Sequence, residues 1–207
     1  MEAKPPIENC FANYAERLGS VLRGADWSGV AQLARDLRAC WRDGRQVFLC
    51  GNGGSAGNAI HLANDLLYGI AKRTGGGLRV LALPANAAVL TCLANDVGYD
   101  HVYSEQLAVQ GRRGDLLLVL SGSGNSPNIL AALEQARSMA IKSYALLGYG
   151  GGKARTMCDV PIHFAVDDMQ IAEDLQLVVG HMVMQWLYDN PPARGPVVAG
   201  EESHARA

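Results

Sequence analysis

Two histidines, a few acids and two serine-bearing loops are the residues in this chain that could do chemistry. His61 and Asp65 stand four positions apart, so on a helix they share one face, one turn from each other. A histidine and a carboxylate so placed can act as an acid/base pair or as two ligands of a metal ion. Just before them, the apolar run Val47-Phe48-Leu49-Cys50 feeds straight into Gly51-Asn52-Gly53-Gly54-Ser55. A glycine-rich turn between a strand and a helix N-terminus directs backbone N–H groups at an anion, and the helix dipole favours negative charge there. A second loop of similar make-up, Ser121-Gly122-Ser123-Gly124-Asn125-Ser126, follows the apolar run Leu116–Leu120. Its serines supply hydroxyl donors, and its glycines let backbone amides approach closely.

The two loops lack the marks of nucleotide binding. Neither contains the lysine of G-x-x-x-x-G-K-[ST], and neither matches G-x-G-x-x-G with a suitably placed ribose-binding acid. That argues for the phosphate ester of a small molecule, held by hydroxyls and amides. Either loop alone could be an ordinary strand-to-helix turn, in which Gly and Ser are common. Two in one sheet favour a site.

The elements that must position these residues are legible from periodicity. Ile7–Leu22 and Trp27–Trp41 read as two leading helices, with Asp26 as N-cap of the second and Gly44 as its stop. Short apolar strands follow at Val47–Cys50, Arg79–Leu83, Leu116–Leu120, Lys142–Leu147 and Val160–Phe164. Helices are expected at Ser55–Tyr68, Ala87–Asp96, Pro127–Met139 and Gln170–Tyr188, with shorter ones at Val102–Val109 and Gly152–Thr156. Apolar strands of four to six residues separated by helices indicate an α/β protein, with a parallel sheet covered on both faces. Ligands of such sheets bind beyond the carboxyl ends of the strands, where the strand order reverses. The run Gly148–Gly152 reads as a plain turn, and His101 and His163 show no partner pattern.

Composition sets the outer limits. At 207 residues the chain fits one domain, here 1–190, with a tail over 191–207 whose Pro, Gly, Ala and charge read as disordered. A net charge of −2 gives no basic surface for nucleic acid or an anionic membrane. No apolar run approaches a bilayer span, and the first residues lack a signal-peptide core. The five cysteines are odd in number and lack C-x-x-C spacing, which suits a reducing compartment and hence the cytoplasm.

The Gly-Asn-Gly-Gly-Ser loop, the Ser-Gly-Ser-Gly-Asn-Ser loop and the Ala94-Asn95-Asp96 segment between them resemble sugar isomerase (SIS) domains. The closest branch is sedoheptulose-7-phosphate isomerase, also called phosphoheptose isomerase. The resemblance runs from about Ile7 to Tyr188, and the surroundings of His61, Asp65 and His181 narrow it to that branch. It implies a three-layer αβα sandwich with a flavodoxin-like five-stranded parallel sheet. It also implies a homotetramer with active sites between subunits, in whose assembly the leading helices share. The implied reaction converts sedoheptulose 7-phosphate into D-glycero-D-manno-heptose 7-phosphate, commonly for lipopolysaccharide heptose. Zinc is the implied cofactor, with ligand positions falling on His61, Asp65, Glu173 and His181. Two of these depart from the family pattern: Asp65 stands where the family has Glu, and Glu173 where it has Gln. Asp is one methylene shorter, which sets its carboxylate back by about 1.5 Å. Two histidines and two carboxylates still suit Zn²⁺.

A ketose–aldose isomerisation needs a base at carbon and an acid/base at the oxygens. Asp65 is the expected carbon base and His181 its partner at oxygen, since imidazole exchanges protons near neutral pH. A carboxylate bound tightly to zinc is a poorer base, so the two roles of Asp65 compete. Ser55, Ser121, Ser123 and Ser126, with the amides of Gly53 and Gly122, would hold the phosphate. Asn52, Asp96 and Glu173 would face the sugar. Periodicity alone would choose Asp174 rather than Glu173 as the acid above His181, being seven residues away, close to two turns. Asp96 could instead simply end its helix before Gly98. Two other functions compete: a non-catalytic SIS module that binds a replication initiator protein, and an isomerase or sensor for another phosphosugar.

Overall fold

The computed structural model describes residues 6–193; most of the tail expected over 191–207 lies outside the described residues. Two helices lead, α1 (Ile7–Arg23) and α2 (Ser28–Asp43). Strands and helices then alternate: β1 (Gln46–Cys50), α3 (Gly54–Asn64), β2 (Arg79–Ala82), α4 (Ala87–Asp96), α5 (Ser104–Gln110) and β3 (Leu116–Ser121). The order closes with α6 (Pro127–Ser138), β4 (Lys142–Leu147), α7 (Ala154–Met157), β5 (Val160–His163) and α8 (Met169–Asp189).

All pairings in the five-stranded sheet are parallel, and its order is β2-β1-β3-β4-β5. This is the flavodoxin-like doubly wound order, so the fold expected from the sequence is present. From β1 the chain moves one way to β2, then returns across β1 to β3 on its other side. The reversal places the loops after β1 and β3 side by side at the carboxyl edge.

Each strand divides its side chains between two cores, as a period of two requires. Val47 and Leu49 of β1, with Leu116, Leu118 and Leu120 of β3, face α2, α3 and α8. Phe48 and Cys50, with Leu117 and Val119, face α5, α6 and α7. β3 is buried along its whole length, which is why it reads as an unbroken apolar run. Cys40, Cys50 and Cys158 are free thiols inside these cores, and burial pushes Cys50 up to about 12.

The expected terminators act much as the sequence suggests. Asp26 accepts the Ser28 N–H at 2.9 Å at the head of α2, and Gly44 ends that helix in the left-handed region at φ 65°. One expectation needs correction. The helix read as Ser55–Tyr68 is α-helical only to Asn64; Asp65–Gly69 forms a π-turn and Ile70–Arg73 a 3₁₀ turn. Apolar periodicity cannot register a single wide turn, because it shifts the phase by only one residue. The short helix expected at Gly152–Thr156 lies instead at Ala154–Met157, since Gly151 and Gly152 take positive φ.

Candidate active site

α3 and α8 pack side by side and together build the reactive group. Their close approach comes from Gly180, where any Cβ would land on the Leu62 side chain. His61 on α3 and His181 on α8 meet there, with Nε2 atoms 2.9 Å apart. Asp65 Oδ2 lies 3.4 Å from His61 Nε2 and 3.5 Å from His181 Nε2. The Asp65 carboxylate is mostly buried, while the two imidazoles are about half exposed, so the group opens outward. Asp65 is the first residue of the π-turn, and such turns recur at functional positions.

Three donor atoms within 4.8 Å of one another can hold a metal ion. Two ligands at tetrahedral angles and about 2.05 Å from zinc lie about 3.3 Å apart. The three separations seen here bracket that value, so these atoms match one face of a tetrahedron. Only one of the two Nε2 atoms could hold a proton in a direct His–His hydrogen bond, whereas a shared cation would use both lone pairs.

Glu173, the fourth expected ligand, is not in this group. Eight residues of helix set it about 12 Å along α8 from His181. Its Oε1 lies 3.5 Å from Ser55 Oγ, at the head of α3. The rival Asp174 does not join His181 either: its Oδ2 accepts the Tyr14 hydroxyl of α1 at 2.6 Å. Burial and that hydrogen bond push the Tyr14 hydroxyl up to about 12.

The SIS domain family model matches residues 10–148. A phosphoheptose isomerase of Rhodospirillum rubrum is 40% identical over 154 residues, covering 74% of this chain and 81% of that protein. One of Chlorobaculum parvum is 38% identical over 176 residues, 83% of either chain. The chain belongs to the phosphoheptose isomerase branch of the SIS family. In three dimensions it is similar to the phosphoheptose isomerase of Neisseria gonorrhoeae, with a TM-score of 0.80 and 28% identity over 89% of this chain and 99% of that one.

The two loops of this SIS domain meet at the switch point, held by residues that sequence reasoning did not single out. Asn128 of α6 is buried, and its amide exchanges two 2.8 Å hydrogen bonds with that of Asn52. Tyr103 donates to the Gly51 carbonyl and, with Tyr99, to Asn52 Oδ1. A polar residue on an apolar helix face was the available signal for Asn128. Gln176, buried on α8, donates to Ser55 Oγ at 3.0 Å and accepts from Asn58 at 2.9 Å. Ser55 is thereby turned toward α8.

In the second loop, Ser121 Oγ accepts the Gly124 N–H at 3.0 Å, and Gly122 is buried below it. Ser123 and Ser126 are half-buried at the mouth, and the Ser126 hydroxyl makes no capping bond to its own helix. The Gly148–Gly152 run supports this loop. A Cβ at Gly152 would strike the Ser123 and Gly124 carbonyls, and the Lys153 N–H binds Asn125 Oδ1 at 3.0 Å. Asp96 ends α4 on the exposed surface, where the Asn95 amide and then the Cys92 thiol hold its carboxyl below the ordinary value.

Proposed function

We propose that this protein is a phosphosugar aldose–ketose isomerase that converts sedoheptulose 7-phosphate to D-glycero-D-manno-heptose 7-phosphate through an enediol. The convergence of Asp65, His61 and His181 where α3 and α8 cross in an SIS fold carries the reading. Asp65 moves the proton between the two reacting carbons, and the mostly buried setting of its carboxylate keeps it clear of bulk water. His181 exchanges the proton between the neighbouring oxygens. Ser55, Ser121, Ser123 and Ser126, with the amides of Gly53 and Gly122, bind the phosphate. Asn52, Asp96 and Glu173 face the sugar. The remote phosphate contributes binding energy that orients the reacting end. His61, Asp65 and His181 would hold a zinc ion, which would supply Lewis-acid polarisation of the sugar carbonyl in place of proton transfer by the ligating atoms.

The protein works as a cytoplasmic homotetramer with active sites between subunits. Exposed apolar residues on α1 and α8 support the assembly, and five free cysteines suit a reducing compartment. The convergence of an acid with two histidines counts against a purely scaffolding module.

Turnover of sedoheptulose 7-phosphate, followed by product appearance, tests the assignment. Asp65→Asn and His181→Ala should each lower kcat by roughly 10²–10⁴-fold, the usual worth of a positioned acid or base. Unchanged turnover in either variant would remove that residue from its role.

A further inference from the structure

The turn after β4, Gly148–Gly152, carries a single side chain, Tyr149, among four glycines. Tyr149 takes φ 44°; Ala140, the other non-glycine residue described with positive φ, follows the end of α6, a common place for that conformation. A bulky residue in the left-handed region away from a helix end is an outlier that its surroundings must hold. Two hydrogen bonds hold it. The Tyr149 N–H donates to the Val166 carbonyl at 2.9 Å, and the Tyr149 carbonyl accepts from His163 Nε2 at 2.8 Å. The same turn is fastened to the Ser121–Ser126 loop. The Gly148 N–H donates to the Gly122 carbonyl at 3.0 Å, and the Ala154 N–H to the Gly124 carbonyl at 2.9 Å. The ring is thereby laid against that loop. Its Cε2, bonded to the hydroxyl-bearing carbon, lies 3.9 Å from where a Gly122 Cβ would stand, and Met169 Sδ lies 2.5 Å from the same point. The ring is half-buried, and its hydroxyl has no hydrogen-bond partner among the described residues.

We infer that Tyr149 is a further substrate-binding residue: its phenol, brought in by the turn after β4, donates to the phosphate ester from the Gly122 side. This rests on the phosphosugar reading of the site. At Gly122 the serine loop has no side chain of its own, so the donor there comes from another strand's turn. A phenol donating to a phosphate oxygen makes a charge-assisted hydrogen bond, stronger than one between neutral groups. Because no internal partner competes for the hydroxyl, none has to be broken when the ester arrives. Met169 fills the space beside the ring. His163, which no spacing in the sequence singled out, acts through Tyr149 as a positioning residue. The backbone strain at Tyr149 is thus stored next to the site, where such outliers concentrate. Glycine would relieve the strain at this position and would leave the turn without its donor.

The test uses the full chain, with inorganic phosphate as probe followed by calorimetry and a thermal melt of each variant. Tyr149→Phe keeps the ring and loses only the hydroxyl. It should bind phosphate roughly tenfold more weakly, the order expected for one hydrogen bond to a charged group. Its melting temperature should not change, because the hydroxyl serves nothing inside the protein. Tyr149→Ala and Tyr149→Gly should lose at least as much affinity. Of these two, Tyr149→Gly should melt higher, by roughly 2–4 °C, because it alone releases the left-handed strain. Phosphate binding undiminished in Tyr149→Phe would overturn the inference. So would a fall in melting temperature in Tyr149→Phe as large as that in Tyr149→Ala, which would make the hydroxyl structural. Equal melting of the alanine and glycine variants would overturn the strained placement on which the inference stands. Failure of the unmodified protein to bind phosphate would remove the phosphosugar reading and the role of Tyr149 together. Phosphate binding without turnover of sedoheptulose 7-phosphate would count against that substrate and leave the role of Tyr149 to the Tyr149→Phe result.

Discussion

Asp65 decides more than any other single residue. It is one methylene shorter than the Glu that the family resemblance leads one to expect there, yet its Oδ2 comes within 3.5 Å of both imidazoles. The π-turn that begins at Asp65 accompanies this reach. A wider turn re-aims the side chain it carries, so a shorter acid can be served by a local change of backbone. The two histidines are coupled through it. Purified protein should contain about one zinc per chain, as a site with three protein ligands and an open position predicts. His61→Ala should lose that zinc on dialysis against a mild chelator, while the unmodified protein retains it. Elemental analysis reads both, and retention by His61→Ala would exclude the residue as a ligand.

At the scale of elements, α8 organises the site. Asp168 caps its head by accepting the Ile171 N–H at 3.1 Å and binds Arg17 of α1 at 2.7 Å. Glu173 and Gln176 engage α3 near its N-terminus, and His181 engages it near its C-terminus. The spacing between the two helices is set at Gly180 against Leu62. Gly→Ala in an exposed helix usually stabilises, by about 1 kcal/mol. Here overpacking should win, costing about 1–3 kcal/mol in denaturant unfolding. Gly180→Ala should also weaken zinc binding, because it moves His181 away from His61. Leu62→Ala in the same chain should restore part of the metal affinity; a Gly180→Ala protein with unaltered stability and metal content would refute the contact. The cap has a pH signature. The Ile171 N–H above all holds the Asp168 carboxyl below its ordinary value; burial opposes it, and Arg17 adds to the lowering. Its contribution is therefore complete above the unfolded value, about 3.9, and is lost as pH falls through the lower folded value. Melting temperature should fall less steeply below about pH 4 in Asp168→Asn than in the unmodified protein.

For the whole molecule, the strand order matters most. Because β1 lies between β2 and β3, the two loops become neighbours at one edge, and Asn52 and Asn128 fasten them together. Apolar surface is the other feature at this scale. None of the α1 residues is buried, Phe11 is 67% exposed, and Met182 and Trp186 stand one turn apart on α8 at 43% and 38%. Such faces call for cover in an assembled protein. Phe11→Asp alters a side chain that supports nothing within the chain's own core. On the proposed tetramer with active sites between subunits, it should shift the sedimenting species to smaller forms and lower turnover. An unchanged sedimentation coefficient would exclude α1 from the contact.

Much of this protein is determined locally, and the sequence alone carries that part. Apolar runs of period two, helices of period 3.6 and the glycine punctuation between them depend on neighbours a few residues away. The strands and longer helices are therefore visible without the fold, as are the two loops and the His61/Asp65 pair. Other features depend on which elements meet. The pairing of Asn52 with buried Asn128, separated by 76 residues, leaves no periodic trace. The π-turn at Asp65 changes the phase of a helix too little to read. Helical phase favoured Asp174 as the acid serving His181, but packing gave Asp174 to Tyr14 and laid Glu173 over Gly54. The choice was made by the crossing of α8 against α1 and α3, a three-dimensional contact that no spacing along one helix can encode.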